Sequence, residues 1–294
     1  MSTDPADRRH PHIPFDPTRI AAFLRGRGIV SAGLMPAGKT NTNYKLVLDD
    51  GTAYVLRLYS RGSAEREVHV MGLVRHLVPV PRELGRGEGW SVFEFLEGDL
   101  LASVPQHSAA AAAALAKIGS ITFASHGWVN ADGSVSPFDF GDGGGFFGGY
   151  LDRPDVRVWI GPGLHHAIRA LVQREAARIA EMDAECRLVH GDFNPTNVLV
   201  RDGVVAGVLD WEFSHAGTPY MDIGNLLRNT DPAYHPQIKL GLEAGGMSLP
   251  ADWRQRAELL DLSSHLEFLT SKRSDDFKRT RVARIERCIK MFGG

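Results

Sequence analysis

A short stretch late in the chain has the residue types and spacing for chemistry. His190-Gly191-Asp192-Phe-Asn-Pro-Thr-Asn197 leads into the apolar run Val198–Val200, and a second run, Val204–Leu209, leads out to Asp210. Between the runs, Asp202-Gly203 is a favoured hairpin turn. A hairpin there brings Asn197, just before one strand, close to Asp210, just after the other. Asp192 lies slightly upstream on the preceding loop. Two carboxylates and a carboxamide oxygen then converge on one small region. Hard oxygen ligands of this kind suit Mg²⁺ shared with nucleotide phosphates. Phosphoryl transfer mainly needs positioning, charge neutralisation and an acceptor for a hydroxyl proton, and this inventory meets those needs. Any one of the three could be a plain turn former; their joint order around a hairpin carries the reading.

Two other segments resemble motifs without the context those motifs need. Gly33-Leu-Met-Pro-Ala-Gly38-Lys39-Thr40 fits the Walker A pattern letter for letter. A P-loop must open a helix so that backbone N–H groups face the phosphates. Here Asn43–Leu48 alternates like a strand and runs into Asp50-Gly51, so the glycines read as a loop between strands. Asp139-Phe140-Gly141 spells a kinase metal motif. It precedes the candidate catalytic loop, where that motif should follow it, and it lies in a Gly/Phe stretch (139–149) read as a loop.

The elements that must position these residues divide unevenly. Residues 1–12 read as a loose tail. In residues 13–97 strands dominate. Asp16 and Pro17 are placed as N-cap and N1 of an opening helix, two alternating runs flank Asp50-Gly51, and Val70, Leu73, Val74 and Leu77 share one side of a helix. In residues 98–294 helices dominate: Ala109–Ile118, Leu164–Met182, Tyr220–Asn229, Ile238–Ala244, Trp253–Ser271 and Phe277–Met291. A strand-rich first third and a helical remainder predict an α+β, two-lobed chain with a cleft between the lobes.

Bulk properties narrow the function classes. The chain has 294 residues, 43% of them hydrophobic, enough for a large core. With 33 basic and 35 acidic residues, net charge −2, no basic excess points to nucleic acid. No apolar run is long enough to span a membrane. The two cysteines, Cys186 and Cys288, have no metal-ligand or disulfide spacing and fit a reducing cytoplasm. The sequence leaves monomer and dimer open.

HGDFNPTN, VLDWE and PYMDIGNLLR together resemble the catalytic loop, metal-binding segment and following stretch of the aminoglycoside phosphotransferase and choline kinase family. The resemblance extends weakly from about Ile29 to the C-terminal helices. It implies a bilobal protein-kinase-like fold, ATP or GTP as donor, and Mg²⁺ held by Asn197 and Asp210. It makes Asp192 the catalytic base, with His190 ordering the loop and Asp222 holding its backbone. Gly38, Asn41 and Tyr44 match the phosphate-covering loop. Val55 and Arg57 share a strand face, with Arg57 standing where kinases carry a phosphate-binding lysine; an exposed strand arginine is the alternative. Glu67, or else Glu65, would pair with it. Glu94, Phe95 and Leu96 resemble the hinge that reads the purine. The implied acceptor is a small-molecule hydroxyl: an aminoglycoside or other cationic antibiotic, which would make the chain a resistance enzyme, or else choline, ethanolamine, homoserine or a sugar. A nucleotide-binding pseudoenzyme is a third reading. Asn194, Asp261 and Glu267 are candidate acceptor contacts, with Leu259, Leu260, Leu262, Leu266 and Leu269 as the buried stripe beside the last two.

Overall fold

The computed structural model describes residues 10–35, 40–60, 64–138 and 145–293. The Walker-like residues 36–39, including Gly38, and the Asp139-Phe140-Gly141 triplet lie outside them, as do residues 1–9 of the expected tail.

A 3-10 turn, Pro17–Ile20, capped by the Asp16 side chain on the Thr18 N–H, runs into the single turn α1 (Ala21–Leu24). Five antiparallel strands follow: β1 (Ile29–Met35), β2 (Thr42–Leu48), β3 (Ala53–Leu58), β4 (Glu83–Gly87) and β5 (Trp90–Glu94), in the order β1-β2-β3-β5-β4. The segment between Met35 and Thr42 therefore joins paired antiparallel strands and opens no helix, as the alternation of β2 requires. Helix α2 (Glu65–Val74) is inserted between β3 and β4. The sheet has two unlike faces. Tyr44, Leu46, Leu48, Leu56, Leu58 and Val92 pack with Ile20 and Leu24 on the outer face. Asn43, Lys45, Val55 and Arg57 alternate onto the other. Residues before the sheet close the outer face: the Ile13 N–H donates to Thr42 Oγ1 at 3.0 Å.

The chain leaves the sheet through residues 95–98 and enters a mainly helical part through β6 (Asp99–Leu100). Helix α3 (Ser108–Ile118), strands β7 (Gly127–Val129) and β8 (Val135–Ser136), and helices α4 (Gly145–Leu151), α5 (Pro154–Arg174) and α6 (Ala176–Asp183) come next. Part of the Gly/Phe stretch read as a loop is thus the helix α4. The helix expected from Leu164 to Met182 is two, broken at Glu175, and α5 itself starts earlier and kinks at Gly161. Then come β9 (Arg187–Val189), β10 (Val198–Arg201), β11 (Val204–Val208), β12 (His215–Gly217), α7 (Tyr220–Asn229), α8 (His235–Ala244), α9 (Trp253–Leu269) and α10 (Asp275–Met291). No helix among the described residues is long and apolar enough to cross a membrane.

Two cores hold this part. One joins α2 to α3, α7, α8 and the β10–β11 hairpin, so it runs from the first lobe into the second. The other packs the expected leucine stripe of α9 against α4, α5 and α10. The alanine run of α3 has a structural purpose. It lets α8 approach so closely that a Cβ on Gly241 would stand 2.1 Å from the Ala109 carbonyl oxygen.

Two stability predictions follow from this packing. Gly241→Ala costs about 1–3 kcal/mol despite alanine's advantage of ~1 kcal/mol in a helix, measured by urea unfolding. The second concerns His215, which is buried beside Trp128 and Phe138. Burial, helped by the nearby Arg66 charge and opposed by a hydrogen bond to the Phe213 carbonyl, pushes its pKa down to about 4. Its ordinary value is 6.5. Between those values the unfolded chain takes the proton and the folded chain does not. Its contribution is complete above pH 6.5 and is lost as pH falls toward 4, amounting to about 2 kcal/mol by pH 5. His215→Gln therefore flattens the fall in urea midpoint between pH 7 and pH 5.

Candidate active site

The β10–β11 hairpin turns at Asp202 and Gly203, both left-handed (φ 53° and 79°). This is the backbone of a two-residue hairpin turn matched to strand twist. Val198 pairs with Val208, and the Leu209 N–H donates to the Asn197 carbonyl at 2.9 Å. That last rung holds Asn197 and Asp210 side by side at the hairpin mouth. Asp210 takes a left-handed conformation (φ 64°, ψ 66°), which for a non-glycine residue costs of the order of 1–3 kcal/mol and is typical of functional sites.

The loop carrying Asp192 is pinned on every side. Asp222, buried at the start of α7, accepts the His190 N–H at 2.6 Å on one carboxylate oxygen and the Gly191 N–H at 3.0 Å on the other. Burial pushes Asp222 up to about 7 against the pull of these amides. The His190 ring accepts the Asp192 N–H at Nδ1 (3.2 Å) and donates from Nε2 to the Leu209 carbonyl (2.9 Å). Burial holds it neutral, down to about 4. His190 therefore ties the loop to the hairpin and touches no reacting atom. Gly191 sits at φ 84°, where a Cβ would lie 2.4 Å from the Phe213 oxygen; only glycine fits. Phe193, fully buried, anchors the loop from below; truncating such a ring costs about 3–5 kcal/mol.

Three carboxamides aim the Asp192 carboxylate. Asn194 Nδ2 donates to one oxygen at 2.9 Å, Asn197 Nδ2 to the other at 3.0 Å, and Asn225 Nδ2 approaches the first at 3.4 Å. Asn194 also accepts from the Thr196 N–H and hydroxyl, so it braces the loop from inside. With Asn197 Nδ2 engaged, that side chain's oxygen is the atom left to face a cation.

On the opposing sheet face, Arg57 Nη1 pairs with Glu67 at 2.5 Å and its Nε donates to Asn43 at 3.1 Å. Glu67, not Glu65, is the partner. Burial works against the guanidinium charge, but Glu67 and Asp210 beside it more than offset this and hold its pKa above the ordinary range. Glu67 also accepts the Trp211 N–H at 3.4 Å, linking α2 to the residue after Asp210. Asp210 itself is pushed up to about 7, first by burial, then by Glu212, Glu67 and Asp192, with Arg57 opposing. Acid charge thus exceeds base charge at the crevice. Among the described residues no three His, Cys, Asp or Glu side chains form a complete ligand cage. Two hard oxygens, from Asn197 and Asp210, in an acid-rich crevice fit Mg²⁺ completed by other oxygens.

The remaining expected residues fall less uniformly. Val55 shares the cleft face with Arg57. Asn41 lies just before β2. Tyr44 is a correction. One residue of alternation puts its side chain on the outer face, where its hydroxyl donates to the Ile13 carbonyl at 2.9 Å and its ring meets Phe15; it cannot reach the cleft. Glu94, Phe95 and Leu96 lie where the chain crosses between lobes. The Glu94 side chain pairs with Arg82, Phe95 lies under Lys45 Nζ at 3.9 Å, and Leu96 packs where Gly207 leaves room. Asp261 is the second correction. It is buried and ion-paired to Arg228, with His265 at 3.4 Å, and so unavailable as an exposed acceptor contact. Glu267 is exposed on the same helix. Sequence reasoning missed Asn43, Lys45, Asn225 and Arg228. The last two had a signal: Asp222, Asn225 and Arg228 recur every third residue and share one face of α7.

The phosphotransferase enzyme family matches residues 34–259. No curated protein matches. Among solved structures, macrolide 2'-phosphotransferase MphH from Brachybacterium faecium aligns at TM-score 0.64 and 16% identity, over 91% of this chain and 95% of its own. ADP-bound aminoglycoside phosphotransferase APH(2'')-Ib aligns at 0.64 and 16%, over 95% and 99%. A thermostable mutant of APH(4)-Ia, in ternary complex with AMP-PNP and hygromycin B, aligns at 0.59 and 19%, over 93% and 98%. These likenesses share the bilobal kinase-like fold. With the family match covering most of its length, this chain belongs to the phosphotransferase enzyme family.

Proposed function

We propose that this phosphotransferase moves the γ-phosphate of ATP, or of GTP, to a hydroxyl of a small molecule, with Asp192 as general base. The observation that carries the reading is the Asp192 carboxylate, aimed by Asn194, Asn197 and Asn225 beside the Asn197–Asp210 pair. In this reading the nucleotide lies between the sheet and the hairpin, with its purine against residues 94–96. Arg57, kept charged and oriented by Glu67, binds phosphate oxygens in two-pronged fashion. Asn197 and Asp210 hold Mg²⁺, which when bound neutralises charge on the phosphates. Asp192 orients the acceptor hydroxyl and takes its proton as the phosphorus–oxygen bond forms.

Support comes from the family and from the nucleotide complexes of two structural neighbours. The pseudoenzyme alternative is disfavoured by the presence of Asp192, Asn197 and Asp210, the residues that would serve as base and cation ligands. The neighbours' names span macrolides, aminoglycosides and, in a kinase from Thermobifida fusca, fructosamine, so they do not choose between an antibiotic and a metabolite acceptor. The two unpaired cysteines fit a reducing, cytoplasmic setting.

The test is a coupled ADP-release assay over a panel of hydroxyl acceptors, with calorimetry for nucleotide binding. Asp192→Ala lowers kcat by about 10²–10⁴-fold and leaves Mg·nucleotide affinity within a few-fold. Asp210→Ala weakens Mg·nucleotide binding as well. Near-wild-type turnover in a clean Asp192→Ala preparation sinks the assignment.

A further inference from the structure

Resting on that reading, we propose that the acceptor is an anionic hydroxyl compound, held through a carboxylate or phosphate by Arg281 and Arg284 beside Arg228. The route starts at the base. Asn225, which reaches Asp192, accepts the Arg228 Nη2–H at 2.8 Å through its own oxygen. Arg228 is therefore one side chain removed from the proton acceptor. Its guanidinium lies 5.1 Å from the centre of the Phe268 ring, and that of Arg281 lies 5.8 Å from the same ring and 4.6 Å from Phe277. Arg284 Nη1 donates to the Arg228 carbonyl at 3.0 Å. Helices α7 and α10 thus bring the guanidinium groups of Arg228, Arg281 and Arg284 together beside Phe268 of α9, with Arg273 5.6 Å from the same ring.

The acids that a cationic acceptor would need are already engaged. Asp261 is consumed by Arg228, Glu258 pairs with Arg254 at 2.8 Å, and Asp276 with Arg279 at 2.7 Å. Glu267 on this wall is engaged as well, and its charge acts on Arg228 and Tyr150. Arg281 has no such compensation. Its Nε–H is shielded from solvent with no hydrogen-bond acceptor among the described residues, a state that destabilises a buried donor. Burial, then the charges of Arg284 and Arg273, pushes its pKa down to about 10. A carboxylate or phosphate supplies both the missing acceptor and the missing charge, in the planar geometry guanidinium groups favour. The Phe268 and Phe277 rings hold the Arg281 fork in place.

Thermal denaturation tests this with matched probes at up to about 10 mM: gluconate and glycerate, glucose 6-phosphate, inorganic phosphate, glucose, choline and kanamycin. Hydroxy acids or the sugar phosphate raise the melting temperature by about 2–4 °C, and glucose, choline and kanamycin do not. The two anionic arms separate carboxylate from phosphate recognition. Arg281→Met and Arg284→Met each remove the shift, while Arg281→Lys keeps part of it and shows that the helix still folds. With whichever anion is turned over, Arg281→Met raises KM by at least about tenfold and changes kcat less. Stabilisation by choline or kanamycin alone, by no anion at all, by inorganic phosphate as strongly as by glucose 6-phosphate, or equally in wild type and Arg281→Met overturns the proposal. Mg·ATP alone, in the same assay, judges the kinase reading separately. Loss of its shift would remove that reading and leave the anion result standing.

Discussion

Glu67, Asp210 and Asp192 share one crevice with the guanidinium of Arg57, and their charges set the terms for everything around them. Like charges a few ångströms apart repel by several kcal/mol at the effective dielectric of a protein surface, and by more deeper in. Arg57 relieves part of this by pairing with Glu67, and Asp210 is pushed up to about 7 by burial first and by the neighbouring acids after it. Asp192 is handled differently. Neutral carboxamides surround it, so it keeps its hydrogen bonds without a fixed positive partner. That difference separates the roles. In the proposed reading a carboxylate locked to a cation is a poor proton acceptor, whereas the amides orient Asp192 without an ion pair. The excess acid at Asp210 favours arrival of a divalent ion together with polyphosphate.

The scaffold exists to hold those groups at fixed positions. A two-residue turn registers β10 on β11, which places Asn197 beside Asp210. Asp222 and His190 then fasten the catalytic loop to α7 and to the hairpin through main-chain hydrogen bonds. Glu67 bridges the other way, from α2 to the Trp211 amide. Displacing α2 would therefore loosen Arg57 and the segment after Asp210 together, coupling the two lobes through one carboxylate.

Much of this was legible because it is local. The hairpin and its flanking polar residues depend on alternation and on an Asp-Gly turn, both visible within a few residues. The pairing of Arg57 with Glu67 came from the resemblance, which left Glu65 open until the packing of α2 against β3 chose Glu67. Tyr44 shows where that logic stops. Motif likeness put it in the nucleotide loop, yet the period of two already placed it with Leu46 and Leu48 on the outer face. Asp261 shows a different limit. A carboxylate beside a leucine stripe reads as a solvated edge, and only the tertiary approach of α7 brings Arg228 to bury it. The arginine group on α10 was equally hidden. Its residues are spread along a charged helix, and what they face is settled by helix packing rather than by spacing.

Helix α7 connects the two ends of the site. Along one face it presents Asp222 to the His190 and Gly191 amides, Asn225 to Asp192, and Arg228 to Asp261 and the Phe268 ring. In the proposed reading the site then has two ends of opposite charge. Acids dominate where cation and phosphates would enter, and guanidinium groups dominate where the hydroxyl compound would sit. An acceptor with its own negative charge would be repelled from the acid end and drawn to the basic one, which orients it with the charge away from Asp192 and the hydroxyl toward it. A polycation would meet the opposite field, with its strongest attraction at the carboxylates reserved for the metal. The field therefore helps to select orientation as well as affinity, and it does so through the hydrogen-bonded chain that holds the base in place.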